Sequence, residues 1–166
     1  KSLEHSMNLI KSDLERLGIK HDNFFSEKDL IKKKLVDKAI KYLWDNKLAK
    51  EGFLEPPKGE DIKNWKKIKR LIFKSTQYGD DADRALQKND GSWTYFANDI
   101  GYHSDKISRK YDVLINVLGA DHTGYIKRIK SAVKALSNNS IDLECRVCQL
   151  VKLFKKGKPF KMSKRA

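Results

Sequence analysis

The sequence predicts an α/β fold with parallel strands, accompanied by a small α+β insert. Residues 113–118 form a continuous apolar run with the length and composition of a buried parallel strand. A tight loop over 119–122 and an amphipathic helical pattern over 123–137 follow this run directly. Between residues 47 and 92, proline and glycine breaks separate short apolar pieces, which is typical of a small unit inserted into the main fold.

The size and charge of the chain exclude several classes of protein. The chain has 166 residues, enough for one ordinary domain or for one domain with a small insert. Its 39% hydrophobic and 10% aromatic content exclude a disordered tail. The net charge of +14 indicates a polyanionic partner, which is nucleic acid, a nucleotide or an acidic membrane. Because no apolar run approaches the roughly 18 residues of a membrane span and no signal-peptide pattern is present, we expect a soluble, cytoplasmic protein without membrane attachment.

The first third of the chain predicts two helices. Apolar residues recur every three or four positions over 2–17, which predicts an amphipathic helix that ends at Gly18. A short extended segment over 19–25 follows, and Ser26 is placed to cap a second helix that runs to about residue 46. The predicted apolar stripe of this second helix consists of Ile31, Leu35, Ala39, Tyr42 and Leu43.

The predicted organisation has three parts. Residues 1–26 are a segment of the main domain, residues 27–92 are the α+β insert, and residues 93–166 return to the main domain. In this last part, a helix over 94–110 carries Phe96, Ile100, His103 and Ile107 on one face, so His103 is predicted to be a structural histidine. The helix over 123–137 points Ile126, Ile129, Val133 and Leu136 inward, residues 141–154 are strand-like, and the chain turns at 156–159.

Two cysteines, Cys145 and Cys148, form a single C-x-x-C pair. A zinc site usually needs four ligands, and the chain has no second pair. The pair lies in an alternating apolar and polar pattern, whereas a redox dithiol usually opens a helix. We therefore predict reduced thiols on a strand and no metal site.

The loop at 119–122 is the first candidate binding element. Ligands of open parallel sheets bind at the carboxyl ends of the strands, and a helix N-terminus at that edge attracts phosphate. The second candidate is Lys161-Met162-Ser163-Lys164-Arg165, which packs three cations and a hydroxyl into five residues. Such a basic loop can close over a triphosphate and neutralise the charge that builds up as pyrophosphate leaves.

These strings together resemble a known family. Residues 161–165 are similar to the K-M-S-K-S signature of class I aminoacyl-tRNA synthetases. The string S-W-T-Y-F-A-N-D-I-G-Y-H over 92–103, the string G-A-D-H-T-G-Y over 119–125 and the string G-D-D-A-D-R over 79–84 resemble segments of arginyl-tRNA synthetase in the same order. L-G-I over 17–19, with Asp22 and Ser26-Glu27, is also similar to that family. The chain departs from the family pattern at Gly101, where alanine is usual, and at Lys20-His21.

The resemblance implies a fold and an activity. The fold would be the later part of a Rossmann-like class I synthetase catalytic domain with its small α+β insert. The activity would be that of an arginine–tRNA ligase, which converts arginine and ATP to arginyl-adenylate and transfers the arginine to tRNA(Arg). ATP would bring Mg²⁺ with it as a substrate, and no protein ligand for the metal can be assigned. Because the first ATP signature of the class, an H-I-G-H string, does not occur in the chain, we expect a fragment that is inactive by itself, and we expect it to be monomeric.

The resemblance also assigns the arginine site. Tyr95 and Asp99 would hold the arginine side chain, and they share a helix face at spacing i, i+4, which Tyr102 and Lys106 continue. A carboxylate suits this role because it accepts the two-pronged hydrogen bonds of a guanidinium. The alternative interpretation is an ordinary surface helix with a capping aspartate.

The ATP site is assigned in the same way. Gly119, Asp121 and His122 would lie beside the adenosine, with Gly119 permitting close backbone approach and His122 also facing the arginine. Met162 and Ser163 would bind ATP, and Lys161 and Lys164 would stabilise the transition state. The alternative role for Asp121 is to cap the helix over 123–137.

Three further interpretations stay open at this point. Asp80, Asp81 and Asp83 suggest a metal site, but an acidic turn paired with Arg84 is the preferred interpretation. The net charge also fits a non-catalytic basic RNA-binding module. Another class I synthetase is the third possibility, and Asp99 argues against it, because a pocket for an apolar amino acid would not contain a carboxylate.

Overall fold

The computed structural model describes residues 2–54, 68–149 and 151–160. Within these ranges, the helices are α1 (Ser2–Arg16), α2 (Glu27–Lys32), α3 (Leu35–Asp45), α4 (Tyr95–Ser108) and α5 (Ile126–Leu136). The strands are β1 (Ala49–Gly52), β2 (Arg70–Phe73), β3 (Arg84–Ala85), β4 (Leu114–Gly119), β5 (Leu143–Cys148), β6 (Leu153–Lys155) and β7 (Lys158–Phe160). The mixed α/β architecture with a parallel strand pair confirms the general fold class. None of the described helices combines the length and the apolar character that a membrane crossing requires.

The first helix confirms its prediction and lies apart from the core. It ends before Gly18, whose positive φ of 73° is a conformation that glycine adopts readily. None of its residues is buried against the other described residues, although its apolar stripe is intact. The segment over 19–25 is irregular rather than a strand.

The predicted second helix is wrong in its continuity. Ser26 caps it as expected, since its Oγ accepts the backbone N–H of Lys28 at 3.3 Å. Lys34 then adopts a left-handed conformation with a φ of +51°, and this residue separates α2 from α3. The break rotates the buried face away from Ile31, which is 80% exposed. Ala39 and Leu43 of the predicted stripe are buried, Leu35 is half-buried and Tyr42 is exposed. The other buried residues of these two helices are Leu30, Val36 and Ile40.

The break brings α3 against α4 at unusually short range. A Cβ atom placed on Gly101 would lie 2.9 Å from the Cα of Val36, closer than real contacts allow. Glycine at position 101 therefore lets the two helix backbones meet. This contact gives a structural reason for the departure from alanine at that position.

The described segments of the predicted insert form a small antiparallel sheet in the order β1-β2-β3. Ala49 pairs with Phe73 at one end of the β1–β2 ladder and Gly52 pairs with Arg70 at the other. A 3-10 turn over Ser75–Tyr78 connects β2 to the acidic turn that precedes β3. The predicted boundaries of the insert at 27 and 92 stay a prediction.

The predicted strand–loop–helix unit is confirmed. β4 and β5 pair in parallel from Leu114 with Leu143 to Gly119 with Cys148, and α5 lies between them in the chain. Thr94 caps α4 by accepting the backbone N–H of Ala97 at 3.2 Å. The helix predicted from residue 123 begins only at Ile126, because a 3-10 turn occupies Ala120–Tyr125. β6 and β7 form a hairpin whose two turn residues, Lys156 and Gly157, both have positive φ, as a tight primed turn requires.

One hydrophobic core joins these elements, and α4 lies at its centre between α3 and α5. Its largest fully buried side chains are Phe73, Leu43, Ile72, Leu86, Ile100, Ile129, Leu143 and Val133. The sheet of β4 and β5 contributes only its inner face, with Leu114 and Leu143 buried. On the outer face, Val117 is 70% exposed and Ile115 is also exposed among the described residues, whereas the exposed Val147 pairs with Leu118 on the inner face. The prediction of a fully buried strand thus holds for one face.

The two cysteines lie on β5, as predicted. Both are free thiols; Cys145 is half-buried and Cys148 is exposed. Burial raises the pKa of the Cys145 thiol, which disfavours the reactive thiolate.

Candidate active site

A cavity of about 340 Å³ opens between α4, β4 and the turn that follows β4. Its polar lining comes from Asp99, Tyr102, Lys106, Asn116, His122 and Tyr125, together with the buried His103. Four of these residues lie on one face of α4, and Asn116 projects from the strand beside it. The cavity therefore lies at the predicted sheet edge, next to the loop after a parallel strand.

Asp99 is the acidic group of this cavity. The hydroxyl of Tyr125 donates a short hydrogen bond to its Oδ2. Burial and this hydrogen bond raise the pKa of Tyr125 well above its usual value, so the phenol stays protonated and remains a donor. Asp99 forms no ion pair with any of the described residues. A carboxylate held by one neutral donor keeps its charge available to a cationic ligand.

A chain of hydrogen bonds extends from Asp99 to Lys106. The ring nitrogen Nδ1 of His103 lies 2.8 Å from the backbone carbonyl of Asp99, and Nε2 lies 3.0 Å from the amide nitrogen of Asn116. Because a carbonyl can only accept, Nδ1 carries the proton and Nε2 accepts from the amide. The amide oxygen of Asn116 is thereby turned toward Lys106 and accepts its ammonium at 2.9 Å.

The charges of this chain follow from burial. Burial lowers the pKa of His103, which stays neutral, and this confirms its prediction as a structural histidine. Burial also lowers the pKa of Lys106, and the ammonium lies 4.7 Å from the ring centroid of Tyr102. The cavity thus contains one carboxylate and one ammonium.

The predicted arginine-site residues are placed differently from one another. Asp99 and His122 line the same cavity. Tyr95, at the first position of α4, is 84% exposed and lines a neighbouring cavity together with Tyr125. Lys88 places its ammonium 5.7 Å from the Tyr95 ring centroid. The shared helix face is present, but the structure leaves Tyr95 outside the cavity that contains Asp99.

In the predicted ATP loop, Gly119 lies in close contact with a side chain of the same loop. A Cβ atom on Gly119 would collide with the carboxylate of Asp121, so glycine accommodates this side chain of the chain itself. Asp121 and His122 are both exposed, and Nε2 of His122 lies 3.6 Å from Oδ2 of Asp121. Asp121 makes no capping hydrogen bond to the 3-10 turn or to α5. The alternative role for Asp121 as a helix cap is therefore wrong.

The basic string falls outside the structural description. Lys161, Met162, Ser163 and Lys164 lie outside the described residues, which end at Phe160 in the β6–β7 hairpin. Their predicted roles in ATP binding and transition-state stabilisation stay predictions.

The acidic turn confirms its preferred interpretation. Arg84 donates two hydrogen bonds to Asp80, at 2.7 and 2.6 Å, and Ser75 donates a third at 3.0 Å. Asp83 accepts from Thr76 at 2.8 Å and pairs with Lys50, while Asp81 pairs with Lys127 at 2.9 Å. Across residues 2–54, 68–149 and 151–160, no group of three or more potential metal ligands forms.

Sequence reasoning missed two residues of the cavity. Tyr125 is the last residue of the G-A-D-H-T-G-Y string, but its contact with Asp99 spans 26 positions of the chain. Asn116 is the one polar residue in the apolar run over 113–118, and that interruption is the signal that would have singled it out. A lone polar side chain in a buried strand needs a hydrogen-bond partner.

The comparisons with known proteins agree on one family. No family model matches the chain. The arginine–tRNA ligase of Pelagibacter ubique is 58% identical over 164 residues, which is 99% of this chain and 28% of the relative. The arginine–tRNA ligase of Ehrlichia chaffeensis is 55% identical over 99% of this chain and 29% of the relative.

A solved structure extends the match to the fold. A crystal structure described as that of an arginyl-tRNA synthetase from Campylobacter jejuni superposes with a TM-score of 0.71 at 37% identity, covering 96% of this chain and 32% of that one. The chain spans somewhat over a quarter of the length of the curated relatives it matches. On these grounds the chain belongs to the arginine–tRNA ligase family, of whose members it matches a segment.

Proposed function

We propose that the chain is part of an arginine–tRNA ligase that activates arginine with ATP and transfers it to tRNA(Arg). The observation that carries this proposal is the carboxylate of Asp99. It lies in a cavity at the carboxyl-end edge of β4 and is bound by a neutral phenol, with no cation paired to it among the described residues. A guanidinium is the ligand that such a carboxylate accepts best, because two parallel N–H groups match its two oxygens.

The proposed residue roles combine this placement with the resemblance of the sequence strings. Asp99 accepts the guanidinium, His122 lies on the same cavity, and Tyr95 lies beyond Tyr125 on the approach to it. Gly119, Asp121 and His122 lie beside the adenosine of ATP, which arrives with Mg²⁺. Met162 and Ser163 belong to the loop that binds ATP, and Lys161 and Lys164 neutralise the phosphates.

The chemistry needs positioning and positive charge rather than a protein nucleophile. The arginine carboxylate attacks the α-phosphate of ATP, and the bond to pyrophosphate breaks. The 3′ end of tRNA(Arg) then takes the arginyl group, releasing AMP. The lysines act on the charge that accumulates on the leaving pyrophosphate.

We further infer that β4 and β5 are the later strands of a Rossmann-like class I catalytic sheet. Support comes from their parallel pairing with a helical crossover and from the exposed apolar side chains of Ile115 and Val117 on the outer face. Such a face is normally covered by further helices. The segments 1–26 and 93–166 then belong to this domain, and 27–92 is its insert.

The test uses a full-length protein that carries this segment. Arginine-dependent exchange of pyrophosphate into ATP and aminoacylation of tRNA(Arg) are expected, with lysine and citrulline as inactive controls. A folded protein that shows neither activity would contradict the proposal. The basic RNA-binding module is the other outcome, marked by salt-sensitive tRNA binding that neither arginine nor ATP alters; no specific observation favours it.

A further inference from the structure

We propose that Lys106 is a specificity-determining residue that closes the floor of the Asp99 cavity and limits the length of the cationic side chain that fits there, and that Asn116 is the positioning residue that holds it. This inference rests on the proposed function, since it concerns how the same cavity selects its amino acid. It adds a second charged group to the pocket, behind the one that binds the guanidinium.

The direction of the cavity comes from two contacts. Asp99 meets Tyr125, which lies beyond the carboxyl end of β4. Lys106, seven residues later on α4, meets Asn116 in the middle of β4. Seven residues of helix rise by about 10 Å, so the cavity runs from a mouth at Tyr125 and His122 to a floor at Asn116 and Lys106.

The floor is held by a chain of hydrogen bonds between neighbouring side chains. The backbone carbonyl of Asp99 fixes the proton of His103 on Nδ1, and the opposite nitrogen then fixes the orientation of the Asn116 amide. That amide presents its oxygen to the Lys106 ammonium at 2.9 Å, and the ring of Tyr102 lies on another side of the ammonium at 4.7 Å from its centroid. Displacing the ammonium would leave the Asn116 oxygen without this donor, which is costly in a half-buried site.

The consequence for a ligand is a limit of length. A guanidinium that enters from the mouth reaches Asp99 first, and a longer side chain must push its cation toward Lys106. That movement meets both the volume of the Lys106 side chain and a charge of the same sign. The floor therefore favours a side chain of the length of arginine over one that is longer by a methylene.

The experiment compares arginine with homoarginine, which has the same guanidinium and one more methylene. In a full-length protein that carries this segment, Lys106→Ala should shift the homoarginine-to-arginine ratio of kcat/KM in ATP–pyrophosphate exchange by about 10-fold toward homoarginine, the scale that one methylene has in a pocket. Lys106→Met, which keeps the length of the side chain but loses the ammonium that Asn116 holds, should shift this ratio by only about 3-fold, less than Lys106→Ala does. Lys38→Ala, on an exposed site of α3, is the matched control.

A double-mutant cycle tests the positioning role of Asn116. Asn116→Ala should shift the ratio in the same direction as Lys106→Ala, and it should have no further effect when Lys106 is already alanine. A merely structural role for Asn116 would instead lower kcat/KM equally for both amino acids in either background.

The outcomes separate this inference from the proposed function. An unchanged ratio in Lys106→Ala, or an equal shift in Lys106→Met, would overturn the assignment of the floor. Lys106→Ala could lose exchange with both amino acids, in which case calorimetry measures the dissociation constants of arginine and homoarginine instead. An equal loss of affinity for the two amino acids would then overturn the inference. A parent protein without arginine-dependent exchange would instead refute the proposed function.

Discussion

Asp80 is a buried aspartate and Asp99 a half-buried one, and their hydrogen-bond partners differ. Asp80 accepts two hydrogen bonds from Arg84, one from Ser75 and one from the backbone N–H of Asp81, and it is 8% exposed. Among the described residues, the carboxylate of Asp99 accepts one hydrogen bond, from the phenol of Tyr125, and it faces a cavity. The acidic turn over 80–84 brings its own cation, whereas the helix α4 does not supply one to Asp99.

The difference separates a structural carboxylate from one that is available to a ligand. A buried carboxylate whose lone pairs are saturated by a resident guanidinium contributes to folding, and loss of either partner leaves an uncompensated charge. A carboxylate with one neutral donor keeps a negative potential inside a cavity, where the attraction for an incoming cation is stronger than in bulk water. Substitution of Asp80 should therefore lower the stability of the fold, whereas substitution of Asp99 should lower the affinity for a ligand.

Loss of Asp99 should have the largest effect. In a full-length protein that carries this segment, Asp99→Ala should lower kcat/KM for arginine by about 10³-fold, since loss of one partner of a desolvated charge pair costs about 4 kcal/mol. The thermal midpoint should change little, because Asp99 pairs with no cation among the described residues. Asp112→Asn, an exposed acid near the end of α4, is the control, and unchanged arginine kinetics in Asp99→Ala would remove Asp99 from the pocket.

Loss of Asp80 should affect stability instead. Asp80→Asn should lower the free energy of unfolding by about 3 kcal/mol, because the guanidinium of Arg84 would lose its buried carboxylate. Urea unfolding of the 166-residue chain measures this loss. A change below about 0.5 kcal/mol would show that the pair contributes no more than a surface ion pair does.

The same residue predicts a pH dependence. Burial alone would raise the pKa of Asp80, but the hydrogen bonds from Arg84, Asp81 and Ser75 outweigh it and hold the pKa below its ordinary value. The stabilisation is therefore fully present above the unfolded-state pKa of about 3.9 and is lost as the pH falls through the lower folded-state pKa. The unfolding free energies of the parent and Asp80→Asn should converge below about pH 4, and a constant difference across that range would contradict this linkage.

Removal of the phenol hydroxyl should have an intermediate effect. Tyr125→Phe should raise the dissociation constant for arginine by about 5-fold, because Asp99 loses the donor that orients it, and one such hydrogen bond is worth about 1 kcal/mol. Calorimetry with Tyr111→Phe as the exposed control measures this change. Tighter binding of arginine in Tyr125→Phe would show that the phenol competes with the ligand instead of orienting the carboxylate.

The smallest effect is expected at Asp81, which shares the acidic turn with Asp80. Its pair with Lys127 is open to solvent, with side chains 69% and 65% exposed, so Asp81→Asn should change the unfolding free energy by less than about 0.5 kcal/mol. Urea unfolding measured beside Asp80→Asn compares the two directly. A loss of unfolding free energy as large as that of Asp80→Asn would show that the difference in burial between the two carboxylates does not determine their contribution to stability.

Local patterns predicted much of the fold. Periodicity placed α1, α4 and the β4–α5–β5 unit, and the clustering of acids with Arg84 predicted the paired turn, because these features depend on residues close in the chain. The break at Lys34 was missed, since no glycine or proline marks it and the packing of Val36 on Gly101 accompanies it. Residues 123–125, the last part of the 3-10 turn, were predicted as helix, because both structures have similar local spacing.

The sequence by itself determined which side chains share an element. Asp99 lies on the face of α4 that Tyr102 and Lys106 continue, and Asn116 is the polar residue of β4, which the loop follows. Only the tertiary structure decided that Tyr125 meets Asp99, that Asn116 joins His103 to Lys106, and that Tyr95 lies outside the cavity. Periodicity specifies the direction in which a residue points from its own helix or strand. The partner it meets depends on how α4, β4 and the following turn pack, and that packing is decided by the core as a whole.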